Sequence, residues 1–171
     1  IAQKMAQLTA DTMNISAEDV VVASTGVIGQ PLSIEPIASA MESIKAALGN
    51  NSAEAAEGIM TTDTVKKEIA VSFEIGGVEC RIGGIAKGSG MIHPNMATML
   101  VFITTDVAIS PAMLQKALSG DIASTFNMIS IDGDTSINDM VCVLANGMAE
   151  NAEITEDGDA FDTFMLALNT V

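Results

Sequence analysis

Tryptophan and tyrosine are missing from these 171 residues, aromatics make up 3%, and the chain holds one histidine, His93, and two cysteines, Cys80 and Cys142. With a single imidazole and no Cys-x-x-Cys spacing there are too few ligands for a zinc site, so the two distant cysteines read as buried free thiols. Cationic residues are scarce as well: 7 Lys and Arg against 22 Asp and Glu leave a formal charge of -15. Such a field repels phosphate backbones and anionic lipid surfaces, which removes nucleic acid from the expected partners. The acidity is read first as a solvating surface, with at most a weak attraction for a cationic substrate. No apolar run approaches a membrane span and no basic-then-apolar leader is seen, so a soluble, cytoplasmic protein with no membrane partner is expected. Polar low-complexity tracts are also lacking. Together with 49% hydrophobic and 17% charged residues, this describes a folded chain with a real core rather than disorder.

Periodicity supplies the elements. Met5, Leu8 and Met13 form a helical stripe broken at Asn14-Ile15-Ser16, and the β-branched run Val20 to Ala23 predicts a buried strand that delivers Ser24-Thr25-Gly26 to a turn with free backbone N–H groups. Pro36 to Leu48 predicts a helix ended by Gly49-Asn50-Asn51, and Ser52 opens a shorter one through Ile59. Glu68 to Ile75 and Val78 to Ala86 alternate around Gly76-Gly77, a hairpin signature. Met99 to Thr104 predicts a buried strand, Ser110-Pro111 the start of a helix ending at Ser119-Gly120, and Thr125 to Ile131 and Asp139 to Leu144 two further strands around the polar turn DGDTSIN. An acidic stretch, Glu150 to Asp159, precedes a final helix. Mixed strands and helices with hairpins indicate a layered α/β or α+β architecture. The chain enters a helical pattern at Ile1 and stops inside another at Val171, which is read as one catalytic-core domain belonging to a longer polypeptide.

The segment Lys87 to Thr105 carries the chemistry. It places Thr98 between a glycine-rich approach and a strongly apolar strand. Within a chain Thr98 is an ordinary hydroxyl; if the Ala97-Thr98 bond is cut, it becomes an N-terminal nucleophile whose own amine takes the hydroxyl proton.

Four blocks, STGVIG at Ser24 to Gly29, MTTDT at Met60 to Thr64, GGIAKGSGMIHPNMATML at Gly83 to Leu100 and DGDTSIND at Asp132 to Asp139, together resemble the ornithine acetyltransferase family, the bifunctional glutamate N-acetyltransferases. The resemblance runs over nearly the whole chain, and the order and spacing of the blocks are more specific than any one of them. It implies an N-terminal-nucleophile-like sandwich of layered mixed sheets flanked by helices. It also implies self-cleavage between Ala97 and Thr98, with residues 1–97 ending an α chain and 98–171 starting a β chain. By the same resemblance, Thr98 carries acetyl from N2-acetylornithine to glutamate, in arginine biosynthesis. Thr25 and Gly26 match the oxyanion hole, and Thr64, Lys87 and Thr98 match substrate-binding positions. No metal or bound cofactor is implied, although some members take acetyl-CoA as co-substrate, and paired α and β chains assemble as αβ heterotetramers or larger assemblies. Further substrate contacts of the family lie beyond Val171.

Each of these residues has a plainer reading. A threonine ahead of a buried strand is usually a strand residue, Thr25-Gly26 a structural turn, Thr64 a hydroxyl closing a loop, and Lys87 a solvated lysine. His93 is left out of the site, Asp132, Asp134 and Asp139 read as a polar turn because the spacing lacks the glycine and glutamate of a calcium loop, and the 12 methionines read as core fillers. Two alternatives to the transferase stand: a related self-processing aminopeptidase or amidase that delivers the acyl group to water, and a non-enzymatic assembly module whose threonine loop stays uncut.

Overall fold

The structure, a computed structural model, describes residues 1–27, 29–90, 99–134, 136 and 138–171. Two compact units follow one another, Ile1–Asn51 and Ser52–Val171.

In the first unit α1 (Ala2–Met13) packs against α2 (Glu35–Ala46). Asn14 ends α1 in the left-handed conformation, φ 57°, a backbone that asparagine tolerates better than most residues. The Lys45 ammonium at the end of α2 donates to the last turn of α1 at the Thr12 carbonyl, 2.6 Å away. Ala10, Thr12 and Met41 are buried. The strand expected over Val20 to Ala23 does not form: a short 3-10 turn, Ala17–Asp19, is followed by irregular chain. A strand needs a neighbour for its backbone groups, and among the described residues of this unit there is none.

The second unit begins with α3 (Ser52–Gly58) and then builds a four-stranded sheet of β1 (Lys67–Ile75), β2 (Val78–Lys87), β3 (Leu100–Thr105) and β4 (Met140–Ala145), ordered β1-β2-β3-β4. β1 and β2 form the expected hairpin. Gly76 and Gly77 both hold positive φ, 59° and 83°, which a two-residue turn matching strand twist requires. β3 runs antiparallel to β2 and parallel to β4. A parallel pair needs a crossover, and α4 (Pro111–Asp121) supplies it. Ser110 caps α4 by accepting from the Met113 N–H at 3.4 Å, with Pro111 at the first helical position, and the helix runs on through Gly120 to Asp121.

The strand expected at Thr125 to Ile131 is instead a series of tight turns. The Thr125 hydroxyl donates back to the Asp121 carbonyl at 3.0 Å, and the N–H groups of Asn127 and Met128 close onto Ile122 and Thr125. These local bonds satisfy groups that a strand would have to pair with a neighbour. α5 (Asp159–Thr170) then packs on β1 and α4.

The core lies on one sheet face, where alternating residues Val71, Phe73 and Ile75, Cys80 and Ile82, Val101 and Ile103, and Val141 and Val143 meet Phe161, Phe164 and Leu168 of α5. The mixed α/β class expected from the sequence is present. Both cysteines are free thiols, Cys80 buried and Cys142 half-buried, and burial pushes both up from the usual thiol range. No helix among the described residues is long and apolar enough to cross a membrane.

Phe164 is wholly enclosed, at 0% exposure. Phe164→Ala is expected to destabilise this unit by about 3–5 kcal/mol through lost burial and the cavity it leaves, read as a lowered unfolding temperature. An unchanged transition would mean that α5 does not close this core.

Candidate functional site

Of the expected site residues in the second unit, the described ones, Thr64 and Lys87, lie by the end of the sheet where β2 finishes and β3 and β4 begin. Lys87 is the last residue of β2 and pairs with Leu100, which in turn pairs with Met140. Lys87 is 5% exposed, so it is not a solvated loop lysine. Among the described residues its ammonium makes no hydrogen bond or ion pair. A largely enclosed lysine whose ammonium is not held by a described acceptor suits capture of an anionic ligand group.

The chain leaves β2 through Gly88, whose φ of 149° lies where side chains are rarely tolerated. A carboxylate holds this backbone in place. Asp63, with a side chain at 0% exposure, accepts from the Gly88 N–H at 2.7 Å and the Thr61 N–H at 3.2 Å, and pairs with Lys67 at 2.5 Å. Burial pushes the Asp63 carboxyl up, but Lys67 and the two N–H donors outweigh it and hold the group well below the usual carboxylate range. The hydroxyls of Thr62 and Ser89 share a second link of 2.6 Å between the same two segments. Thr64, next to Asp63, is exposed. Thus the TTDT and KGSG blocks are bound to each other, and they bring Thr64 and Lys87 into one neighbourhood.

The third block arrives from the other side of β3. A Cβ built on Gly90 would meet the Asp132 carboxylate at 3.4 Å, placing the DGDTSIND segment beside the glycine-rich approach. Within that segment the Asp134 N–H donates to Asp132 Oδ1 at 3.3 Å and the Asn138 N–H to Ser136 Oγ at 3.1 Å, as in a polar turn. Among the described residues no group of acids, His and Cys is arranged to hold a metal ion.

Asp139 departs from that turn, since its Oδ1 accepts from the Met99 N–H at 2.7 Å. The expected cleavage pair Ala97 and Thr98, and His93, lie outside the described residues. Thr25, half-buried, and Gly26, exposed, belong to the Ile1–Asn51 unit, on irregular chain rather than at the end of a strand. Reading the sequence singled out Thr64 of TTDT and overlooked its aspartate. The available signal was a short acid beside a glycine-rich run whose N–H groups need acceptors. A groove of about 500 Å3 over the opposite sheet face, lined by Ala55, Ile69, Gly83 and Phe102 among others, includes none of the expected site residues.

Three of the four sequence blocks therefore converge around one strand end of a mixed α/β unit. Comparison with known proteins agrees with what those blocks imply: the model of the ArgJ family matches residues 1–171, and the chain belongs to that family. It is 51% identical over 171 residues to an arginine biosynthesis bifunctional protein ArgJ of Symbiobacterium thermophilum, covering 99% of this chain and 42% of that protein. Proteins of the same description from Caldanaerobacter subterraneus and Chlorobaculum tepidum are 48% and 50% identical, again over 99% of this chain and 42% of theirs. The chain spans about two fifths of the length of these curated relatives.

Asp63 generates a pH-dependent prediction. Its folded carboxyl titrates below the unfolded value of about 3.9, so its stabilisation is complete above that value and is lost as the pH falls through the folded one. Asp63→Asn should therefore lower the unfolding temperature at pH 6 to 8, and the gap from wild type should narrow below about pH 4. Asp63→Ala should cost more, about 1–3 kcal/mol for the stranded Gly88 N–H alone. A gap that is constant down to pH 2 would refute the assignment.

Proposed function

We propose that this chain is the middle part of a self-processing acetyltransferase of arginine biosynthesis, which moves acetyl from N2-acetylornithine to glutamate through an acetyl-threonine on Thr98. The observation that carries this reading is the ordered set of four blocks within a family match spanning residues 1–171. Relatives at about half identity described as arginine biosynthesis bifunctional proteins support it.

The Thr98 hydroxyl attacks the Ala97 carbonyl carbon, the peptide nitrogen leaves as the Thr98 α-amine, and water hydrolyses the resulting ester. The freed amine, ordinarily titrating near about 8, then accepts the hydroxyl proton as Thr98 attacks the acetyl carbonyl of N2-acetylornithine. Backbone N–H groups at Thr25 and Gly26 stabilise the oxyanion, where one such donor is typically worth about 3 kcal/mol. The amine returns the proton to departing ornithine, and the α-amine of glutamate takes the acetyl group in the second half.

The ammonium of the largely buried Lys87 suits the carboxylate that both substrates carry, and the Thr64 hydroxyl, on an exposed residue of the neighbouring segment, offers a hydrogen bond. The same reading includes an N-terminal-nucleophile sandwich completed by the rest of the polypeptide, assembly of paired α and β chains, a cytoplasmic setting, no bound cofactor, and acetyl-CoA as a second acetyl donor.

Intact-mass analysis of the full polypeptide tests it. Wild type should split after Ala97 and gain one acetyl group on the β chain when given N2-acetylornithine without glutamate. Thr98→Ala should stay whole and unacetylated, and a variant that still splits there would refute the mechanism. Added glutamate should yield N-acetylglutamate, whereas release of acetate alone would favour a hydrolase.

A further inference from the structure

Thr64 and Lys87, the two described residues expected to hold a substrate carboxylate, stand next in sequence to the two ends of one hydrogen bond. Asp63 Oδ1 accepts from the Gly88 N–H at 2.7 Å, so Thr64 follows the acceptor and Lys87 precedes the donor. β2 ends at Lys87, where the ladder with β3 reaches its last pair at Leu100. One residue past that ladder, the Gly88 N–H takes a side-chain carboxylate in place of a strand neighbour. It does so with φ at 149°, a backbone that glycine adopts far more readily than other residues.

The acceptor is itself held from three sides. The Asp63 side chain is 0% exposed, and besides Gly88 it binds the Thr61 N–H at 3.2 Å and the Lys67 ammonium at 2.5 Å. The hydroxyls of Thr62 and Ser89 tie the same two segments again at 2.6 Å. A carboxylate this near a lysine that is to receive another carboxylate would repel the ligand if its charge were unmet. Lys67 and the two N–H donors meet it.

Resting on the reading of Lys87 as the ligand for a substrate carboxylate, we propose that Asp63 is a positioning residue that sets how strongly the site selects for that carboxylate. Enclosed as it is, Asp63 acts through its neighbours and not on substrate. By holding the Gly88 N–H it fixes the peptide that follows Lys87, and with it the direction in which the lysine side chain leaves β2. The same bond fixes Thr64 relative to Lys87. A lysine ammonium rides on a flexible four-carbon stem, and any freedom of its backbone that folding does not remove must be lost on binding, at a cost in affinity. A ligand without the negative charge draws nothing from Lys87 and is indifferent to this ordering.

Selectivity, rather than rate, separates this role from a general effect on folding. In the full cleaved enzyme, kcat/KM is measured for N2-acetylornithine and for its α-carboxamide, which keeps the acetyl group and loses the charge. The ratio of the two is independent of how much of the enzyme is folded and cleaved. Wild type should prefer the acid by about a hundredfold, and Lys87→Met should lower that preference at least about tenfold. Asp63→Ala should lower it by about tenfold as well. Asp63→Asn keeps an oxygen for the Gly88 N–H without the charge that strengthens the bond, and should lower the preference by about threefold. Asp63→Ala combined with Lys87→Met should be no less selective than Lys87→Met alone, because nothing is left to position. Phe164→Leu, which loosens the core under α5, should keep the wild-type preference with a lowered unfolding temperature.

A wild-type preference retained in Asp63→Ala overturns the proposal, as does an equal loss in Phe164→Leu or a double variant well below Lys87→Met alone. Should Asp63→Ala give no cleaved enzyme, Asp63→Asn decides on the same ratio, and an unmoved value there overturns the proposal. An unmoved preference in Lys87→Met removes the reading of Lys87 itself, a failure distinguishable from one confined to Asp63.

Discussion

β3 is paired on both sides, antiparallel to β2 and parallel to β4, and the rest of the site depends on that double register. One line of pairing, Lys87 with Leu100 and Leu100 with Met140, aligns the end of β2 with the starts of β3 and β4. A one-residue slip would turn Val101 and Ile103, 3% and 2% exposed, from the core to the open face. Burial of those side chains thus fixes the register, and the register brings the exit of the glycine-rich segment, Met99 and the head of β4 to one place. The described residues on either side of the Thr98 segment, Gly88 and Met99, are thus anchored on the core.

Aspartate does much of the local holding. Asp63 binds the Gly88 N–H, Asp106 the Arg81 N–H at 2.7 Å, Asp139 the Met99 N–H, and the buried Asp121 accepts from the Asn169 amide at 2.7 Å. A short carboxylate reaches backbone donors where chain leaves regular structure, and ionised acceptors make stronger bonds than neutral ones. The acidic excess is therefore only partly a solvating coat. Some of it is the acceptor set that fastens loops in a chain with few glutamines and no tyrosine to do so.

How legible all this was depended on whether a signal was local. The Gly76-Gly77 hairpin, the Ser110-Pro111 helix start and the β3 and β4 strands follow from turn chemistry and side-chain period, which act within a few residues. The strands expected at Val20 to Ala23 and Thr125 to Ile131 were misread because an apolar run reports burial, not the presence of a partner strand, and at Thr125 a hydroxyl closing onto Asp121 favours turns. For the site, the blocks carried Lys87 and Thr64 but could not reveal Asp63 or Asp139. Their partners stand 25 and 40 residues away in sequence, and pairing over such a span is a property of the folded sheet. The order of the blocks identified the family, whereas the acceptors that hold them had to be seen in three dimensions.

The two anchoring carboxylates sit at matching places, one on Gly88 and one on Met99, at the two ends of the segment in which we propose that cleavage occurs. Attack of a hydroxyl on the carbonyl just before it requires a narrow range of backbone geometries, and a segment with loose ends spends little time in any one of them. Fixing both ends would remove part of that entropic cost from the proposed cleavage, since the ends are already ordered by the folded sheet. The anchors also differ in what they have left to offer. Asp63 has its charge met by Lys67 and two N–H groups, as a residue that only positions others should. Asp139 keeps one buried oxygen without a partner among the described residues.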